Sequence, residues 1–368
     1  MKILIAANTS WYIFNFRSNL IINLIKLGYT VETLAPSDMY TEKLINIGVK
    51  QHHSLKMDMC GMNPFKESMA LLEIAKMIRR IRPDIIFCYT PKINIYTSLV
   101  ARFFRIKTVV NISGIGNSFS SGRLVKNITL ILYRIALRKS FRVFFQNFDN
   151  QTLFLEKGLV EKTNSERLPG SGVDLNKFRC DENIIYHKKK FVFFLASRLY
   201  LEKGIKEYIE AARIIKKKYP ETEFQIVGFI GYNNASAITK AEINQWVTEG
   251  IIKYFGATDD IKSFYSNADC VVLPSYYNEG VPRTLLEAAS MSLPIITTDS
   301  VGCRDTVDDG VTGLLCKIKD EIDLASKMER MINMPFEKRI EMGKAGRLKM
   351  ENEFDESIII SKYLSLLL

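Results

Sequence analysis

Two glutamates eight residues apart, Glu279 and Glu287, stand in the stretch NEGVPRTLLEAASMSLPIITTD over residues 278–299. Just before it, CVVLPS (270–275) reads as a short buried strand, continuous and apolar and stopped by Pro-Ser. A Gly280-Val281-Pro282 turn and an apolar helix over 284–290 follow. Pro282 suits a first helical turn, where its missing N–H costs nothing. A further strand over 295–298 comes after Pro294. The unit is therefore strand, loop, helix, strand, with one carboxylate in the loop and one in the helix. In an open parallel sheet, ligands bind at the carboxyl ends of strands, and a helix N-terminus there attracts phosphate. Eight helical steps rise about 12 Å, more than the roughly 5–9.5 Å of a glycosidase carboxylate pair. The spacing suits two contacts to different parts of one long ligand. Taken alone, the pair equally fits a solvated helix acid and an acid favoured by the helix dipole. The surrounding pattern favours the ligand-binding role.

Cations occupy the matching place one strand earlier. FVFFLAS (191–197) reads as a buried strand, and SRLYLEKG (197–204) opens a helix behind it. Arg198 offers a planar bidentate fork and Lys203 a mobile point charge. Two cations at a strand end make a site for a diphosphate, although a pair of surface cations fits the segment too. Gly228 and Gly231 follow the next strand, where a glycine lets a backbone approach a ligand or forms an ordinary turn. In the first half, Asn8-Thr9-Ser10 with Arg17, Thr90-Pro91-Lys92 and Ser113-Gly114-Ile115-Gly116 occupy equivalent loops and are acceptor-side candidates. His52, His53 and His187 stand in no nucleophile elbow, which leaves a hydrolase triad unsupported. Asp259-Asp260 and Asp308-Asp309 read as capping pairs, and no catalytic metal is predicted.

These residues need a scaffold, and 368 residues are enough for two domains. The first half alternates strands (3–7, 30–35, 84–89, 108–112, 141–146) with helices (16–27, 40–47, 63–80, 93–104, 124–138, 149–158). That alternation predicts a parallel sheet covered on both faces. Residues 167–190, with Pro169-Gly170-Ser171-Gly172 and a lysine run, break the pattern and read as the linker. A second series follows, with strands over 191–197, 223–228, 251–255, 270–275 and 295–298. Its helices are predicted over 204–219, 261–268, 284–290, 320–333 and 336–353, before an apolar end at 358–368. No apolar run is long enough to cross a membrane, and the apolar start MKILIAANTSWY reads as a first strand and not as a signal segment. Six scattered cysteines fit a reduced compartment, with neither a zinc site nor a disulfide framework.

Charge divides the halves. Residues 1–180 carry 26 Lys+Arg against 12 Asp+Glu, and residues 181–368 carry 25 against 28. The basic half is expected to face something anionic. Within it, RLVKNITLILYRIALRKSFRVFF (123–145) interleaves Arg123, Lys126, Arg134, Arg138, Lys139 and Arg142 with apolar residues. It suits an anionic membrane surface or a core helix with a basic outer side. No RNP-like aromatic strand, zinc spacing or basic tail supports nucleic-acid binding.

Together the motifs resemble a family. Ser197-Arg198 with Lys203-Gly204, Leu273-Pro274-Ser275, and Asn278-Glu279-Gly280 with Glu287-Ala288 are similar, in order and spacing, to family 4 of the retaining GT-B glycosyltransferases. The match spans residues 191–315. Phe16-Arg17, Ala35-Pro36-Ser37-Asp38, Tyr89-Thr90-Pro91-Lys92 and Asn111-Ile112-Ser113-Gly114 resemble a bacterial subgroup that builds O-antigen, capsule or N-glycan precursors on undecaprenyl diphosphate. The resemblance implies an α/β, GT-B architecture of two Rossmann-like doubly wound parallel-sheet domains facing across a cleft. Residues 1–170 would be the acceptor-binding domain, 171–190 the linker, 191–353 the nucleotide-sugar-binding domain, and 354–368 a helix packed back on the first. It implies a metal-independent enzyme with no cofactor, using a nucleotide-sugar donor, expected to be a UDP-sugar. Arg198 and Lys203 would hold the diphosphate and Glu287 the ribose. Glu279 would face the sugar, with the backbone N–H groups of Gly280 and Val281 near sugar or phosphate oxygens. The implied product is a hexose or N-acetylhexosamine joined, with retention, to a lipid-linked saccharide. The implied place is the cytosolic face of the bacterial inner membrane, held peripherally. The departures are Asn8-Thr9-Ser10 where many relatives carry Gly-Gly, and no histidine at a matching first-half loop. A GT-B epimerase or phosphorylase, and a non-enzymatic nucleotide-sugar-binding scaffold, are the alternatives.

Overall fold

A computed structural model describes residues 1–57, 63–115, 123–180, 190–230 and 236–368. Gly116, Gly231, Cys60, His187 and the lysines at 188 and 189 lie outside these. The chain divides into two compact units, Met1–Ser171 with Ile359–Leu368, and Gly172–Ile358.

The first unit holds a seven-stranded sheet in the order β3-β2-β1-β4-β5-β6-β7. Its strands are β1 (Lys2–Ala6), β2 (Thr30–Ala35), β3 (Gln51–Ser54), β4 (Ile85–Tyr89), β5 (Lys107–Ile112), β6 (Arg142–Phe145) and β7 (Ser165–Arg167). Every pairing is parallel. Parallel neighbours need crossovers, and helices supply them. On one face lie α1 (Ser10–Lys26), α2 (Thr41–Asn46) and α13 (Glu356–Leu364), which pack Ile13, Leu44 and Tyr363 on the sheet. On the other lie α3 (Pro64–Ile81), α4 (Pro91–Phe103), α5 (Arg123–Leu137) and α6 (Phe148–Glu156), through Ile74, Ile93, Tyr133 and Phe154.

The second unit holds a six-stranded parallel sheet in the order β10-β9-β8-β11-β12-β13. Its strands are β8 (Val192–Ala196), β9 (Glu223–Val227), β10 (Lys253–Tyr254), β11 (Cys270–Leu273), β12 (Ile295–Thr298) and β13 (Gly313–Cys316). Its helices are α7 (Ile205–Lys218), α8 (Lys240–Thr248), α9 (Ile261–Asn267), α10 (Arg283–Ser290), α11 (Glu321–Asn333) and α12 (Phe336–Lys349), the last followed by one π-helical turn, Met350–Phe354. Both sheets follow the doubly wound order of Rossmann-like folds, in which the direction of winding reverses between the first and fourth strands of each unit. The two α/β units predicted from the sequence are present.

Residues 123–145 divide, as predicted, into a helix and a strand: α5 has a basic outer side, and β6 is inside the sheet with Phe144 and Phe145 at 0% exposure. Two readings change. The stretch read as linker is divided between the units: residues 167–171 belong to the first, with Leu168 in its core, and 172–180 pack into the second, where Val173 and Phe178 are buried core residues. Strands β3, β7 and β13 and helix α8 are additions to the predicted elements.

Tyr363 closes the first core. Its ring lies 5.0 Å from Phe87 and 5.1 Å from Phe144, and its hydroxyl accepts from Asn111 Nδ2 at 3.2 Å. Removing a buried aromatic costs about 3–5 kcal/mol. Tyr363→Ala is expected to lower the unfolding free energy of the first unit by that amount in urea denaturation, leaving the transition of the second unit in place.

Candidate active site

The site begins with a turn that only glycine permits. After β8 the chain runs through Ser197 and Arg198 into a 3-10 turn, Leu201–Lys203, and Gly204 then starts α7 with φ +75°. A Cβ at Gly204 would meet Pro274 O at 2.1 Å. The loop after β8 is thereby pressed against the end of β11. The two strands are sheet neighbours at the winding reversal, where doubly wound folds bind ligands.

Backbone contacts fix the β11 loop on the β8 loop. The amides of Tyr276 and Tyr277 both donate to Glu202 O, at 2.9 and 3.0 Å. Ser275 Oγ lies 3.1 Å from Glu202 O and 3.1 Å from Glu279 Oε1, so its single proton serves one or the other. Ser275 O in turn accepts from Ser300 Oγ at 2.8 Å and from Thr298 Oγ1. The end of β12 thus braces the loop from behind. Ser275 belongs to the Leu273-Pro274-Ser275 motif, but Thr298 and Ser300 were not singled out in the sequence, where Ser and Thr after a strand look like any loop.

This frame brings Lys203 to Glu279. Their side chains form an ion pair with only 10% and 12% of their surface exposed. Lys203 Nζ also lies 5.3 Å from the centre of the Tyr277 ring. Arg198 is exposed, with its guanidinium 5.4 Å from the Tyr200 ring. Burial raises the Tyr277 hydroxyl pKa and the neighbouring Arg198 opposes that. Arg198, Lys203 and Glu279 therefore share one neighbourhood, centred on Tyr277. Cys303 is the buried thiol beside it, and burial raises its pKa to about 11. It is a neutral thiol near pH 7, not a thiolate nucleophile.

Glu287 has partners of its own. It lies one turn into α10, its Oε1 2.8 Å from Arg283 Nε and its Oε2 3.1 Å from the Tyr265 hydroxyl. Arg283 and Glu287 are four residues apart on one helix, a spacing that places them side by side. That spacing could have revealed Arg283 in the sequence. Burial raises the Glu287 pKa above 4.5, and Arg283 opposes the shift. Gly280 and Val281 are buried ahead of α10, with the Val281 side chain in the core. Gly228 is tight for a different reason: a Cβ there would meet Ser197 O at 1.7 Å. The close approach it allows is of the chain to itself.

In the first unit, the loop residues serve the fold as well. Thr9 caps α1 by accepting from Tyr12 N at 3.0 Å, and Asp38 accepts from Trp11 N at 2.9 Å. Arg17 is 2% exposed and stacks over Tyr89 at 4.3 Å. Thr90 precedes α4 with φ +73°, and Lys92 pairs with Glu67 at 2.6 Å.

A native carboxyl titrating above 4.5 keeps a proton that the unfolded chain has released. Stability therefore falls as pH rises from 4.5 through the raised value. Glu287→Gln is expected to flatten that decline in urea denaturation of the second unit across a pH series. An unchanged slope would remove Glu287 as its source.

Known proteins match across the whole chain. Residues 2–147 match the family described as "Glycosyl transferase 4-like", and residues 180–349 match "Glycosyl transferases group 1". The chain is 26% identical over 382 residues to the N,N'-diacetylbacillosaminyl-diphospho-undecaprenol alpha-1,3-N-acetylgalactosaminyltransferase of Campylobacter jejuni, covering 100% of this chain and 98% of the relative. It is 25% identical to the Escherichia coli UDP-Gal:alpha-D-GlcNAc-diphosphoundecaprenol alpha-1,3-galactosyltransferase, over 79% of this chain and 76% of that one. The fold matches Anabaena HepE, crystallised with UDP and glucose, at a TM-score of 0.82 and 17% identity, over 100% of this chain and 99% of that one. The chain belongs to the glycosyltransferases, with a glycosyl transferase 4-like domain in its first half and a group 1 glycosyl transferase domain in its second.

Proposed function

We propose that this protein moves a hexose or N-acetylhexosamine from a UDP-linked donor to an undecaprenyl-diphosphate-linked saccharide, with retention, in O-antigen or capsule synthesis. The observation that carries the reading is the Lys203–Glu279 pair, with Arg198 beside it, at the carboxyl ends of β8 and β11. A cation pair at a winding reversal suits a diphosphate. The lipid-linked acceptors named for the Campylobacter and E. coli relatives support the acceptor class.

In this reading Arg198 and Lys203 hold the donor diphosphate, and Gly280 and Val281 offer backbone N–H groups near sugar or phosphate oxygens. Gly228 keeps the Ser197 backbone close under that site. Glu287, held by Arg283 and Tyr265, accepts from the ribose hydroxyls. Lys203 is bound to Glu279. A diphosphate draws Lys203 toward itself and leaves Glu279 to face the sugar. The acceptor hydroxyl oxygen attacks the anomeric carbon from the side of the leaving group. The bond from that carbon to the phosphate oxygen breaks, the acceptor proton passes to that oxygen, and UDP departs. Preplaced cations stabilise the charge that develops there, so the step needs no metal ion.

The first unit would carry the acceptor. Its basic charge supports peripheral attachment at the cytosolic face of the inner membrane, and no helix among the described residues is long and apolar enough to cross one.

UDP release with a short-chain lipid-diphosphate-sugar acceptor tests the reading. Lys203→Ala and Glu279→Gln are each expected to cut kcat by about 10²–10³-fold. Glu287→Gln is expected to act mainly on the donor KM, and wild-type turnover is expected to persist in EDTA. No turnover with any nucleotide sugar, from folded protein, would overturn the reading and favour a binding scaffold.

A further inference from the structure

We infer that the outer surface of α3 and α5 is a docking face for an anionic lipid bilayer. The inference rests on the lipid-linked acceptor reading for its purpose, but its evidence is separate. Phe65, Met69 and Leu72 of α3 are 72%, 56% and 69% exposed. They are four and three residues apart and so form one stripe along the helix. Ile128, Ile131 and Ile135 of α5 are 49%, 58% and 46% exposed, at steps of three and four. Solvated helix faces are ordinarily polar, and two apolar stripes on one side of a sheet need an explanation.

The topology aligns the stripes. α3, α4 and α5 all cover the same sheet face and each leads into a parallel strand. They therefore run in the same direction, with their N-termini at the carboxyl ends of the strands. α4 packs between the other two. In α3 the stripe fills the first half, and the exposed Lys76, Arg79 and Arg80 continue its line toward the C-terminus. In α5 the isoleucine stripe is followed by the exposed Arg138 and Lys139. Each helix thus presents apolar residues bordered by cations, with Lys66, Lys126 and Arg134 also exposed beside the stripes. Phe103, at the C-terminus of α4, is 82% exposed and lies at the cationic end, outside the apolar band.

Charge selects the occupant. α5 contains no acidic residue. In α3, Glu67 is engaged by Lys92 and Tyr96, each at 2.6 Å, and Glu73 accepts from Lys56 N at 3.3 Å. Of the cations, Arg138 has Glu161 4.0 Å away in an exposed pair, the kind worth little in water, and an apolar band bordered by such a cationic surface suits acyl chains beside anionic headgroups. A neutral apolar protein groove would gain nothing from the cations.

Co-sedimentation with vesicles tests the face. Wild-type protein is expected to bind vesicles of phosphatidylcholine with phosphatidylglycerol, more weakly in high salt, and to leave pure phosphatidylcholine largely unbound. Met69→Glu with Leu72→Glu, and Ile131→Glu with Ile135→Glu, are each expected to weaken binding about tenfold or more. All four positions are exposed, so unchanged thermal unfolding by circular dichroism is expected to confirm the fold. A control on the opposite sheet face and its edge, Leu27→Glu with Ile45→Glu, is expected to bind as wild type does. Wild type that ignores anionic vesicles, or α3 and α5 variants that bind unchanged, would overturn the inference. Turnover on a water-soluble acceptor separates the two ideas. The docking variants are expected to keep it, and its absence in wild type that still binds vesicles would sink only the transferase reading.

Discussion

A lysine and a carboxylate held largely out of water set the terms for the second unit. Withdrawing two ions from solvent costs several kcal/mol for each, and only a close partner with further hydrogen bonds offsets it. Lys203 and Glu279 are 76 residues apart in the chain. They meet because Gly204 lets one loop press on Pro274, and because Ser275, Tyr276 and Tyr277 dock on Glu202 O. Remove those contacts and the pair has no reason to exist. The packing of the β8, β11 and β12 ends is therefore a condition for the chemistry, and not only a result of folding.

The strand order explains why these loops and not others were used. Between β8 and β11 the crossovers leave in opposite directions, so the two loops diverge above the sheet and leave space for a ligand. The first unit has its own reversal between β1 and β4. There the polar groups are turned inward. Asn111 accepts from Gln146 and donates to Tyr363, and Arg17 lies under cover against Tyr89. The two sheets share a topology while exposing different chemistry at equivalent places.

Much of this was legible in the residues. Buried parallel strands are continuous apolar runs, so IIFCY, VFFLA and CVVL declared themselves. The loops carrying Arg198, Lys203 and Glu279 followed from those strand ends. Strand β3 was not legible, because QHHS at a sheet edge has no apolar run. Helix α8 did carry a signal, the Thr239–Glu242 capping box. The segment 123–145 was legible as a helix and a strand, but not which of its apolar residues are covered: Ile131 stays exposed on α5, while Phe144 and Phe145 are buried in β6. What one sequence does not encode locally is pairing across distance. The pair of acids pointed to one elongated ligand, but Glu279 holding Lys203 and Glu287 holding Arg283 and Tyr265 belong to the folded chain.

The central claim is that the Lys203–Glu279 pair marks a diphosphate site. A crystal structure with UDP bound tests it most directly. The account predicts that Lys203 Nζ and the Arg198 guanidinium contact phosphate oxygens, with Lys203 drawn from Glu279 and Glu287 accepting from the ribose. UDP seated elsewhere, with Lys203 and Glu279 still paired and untouched, would contradict it.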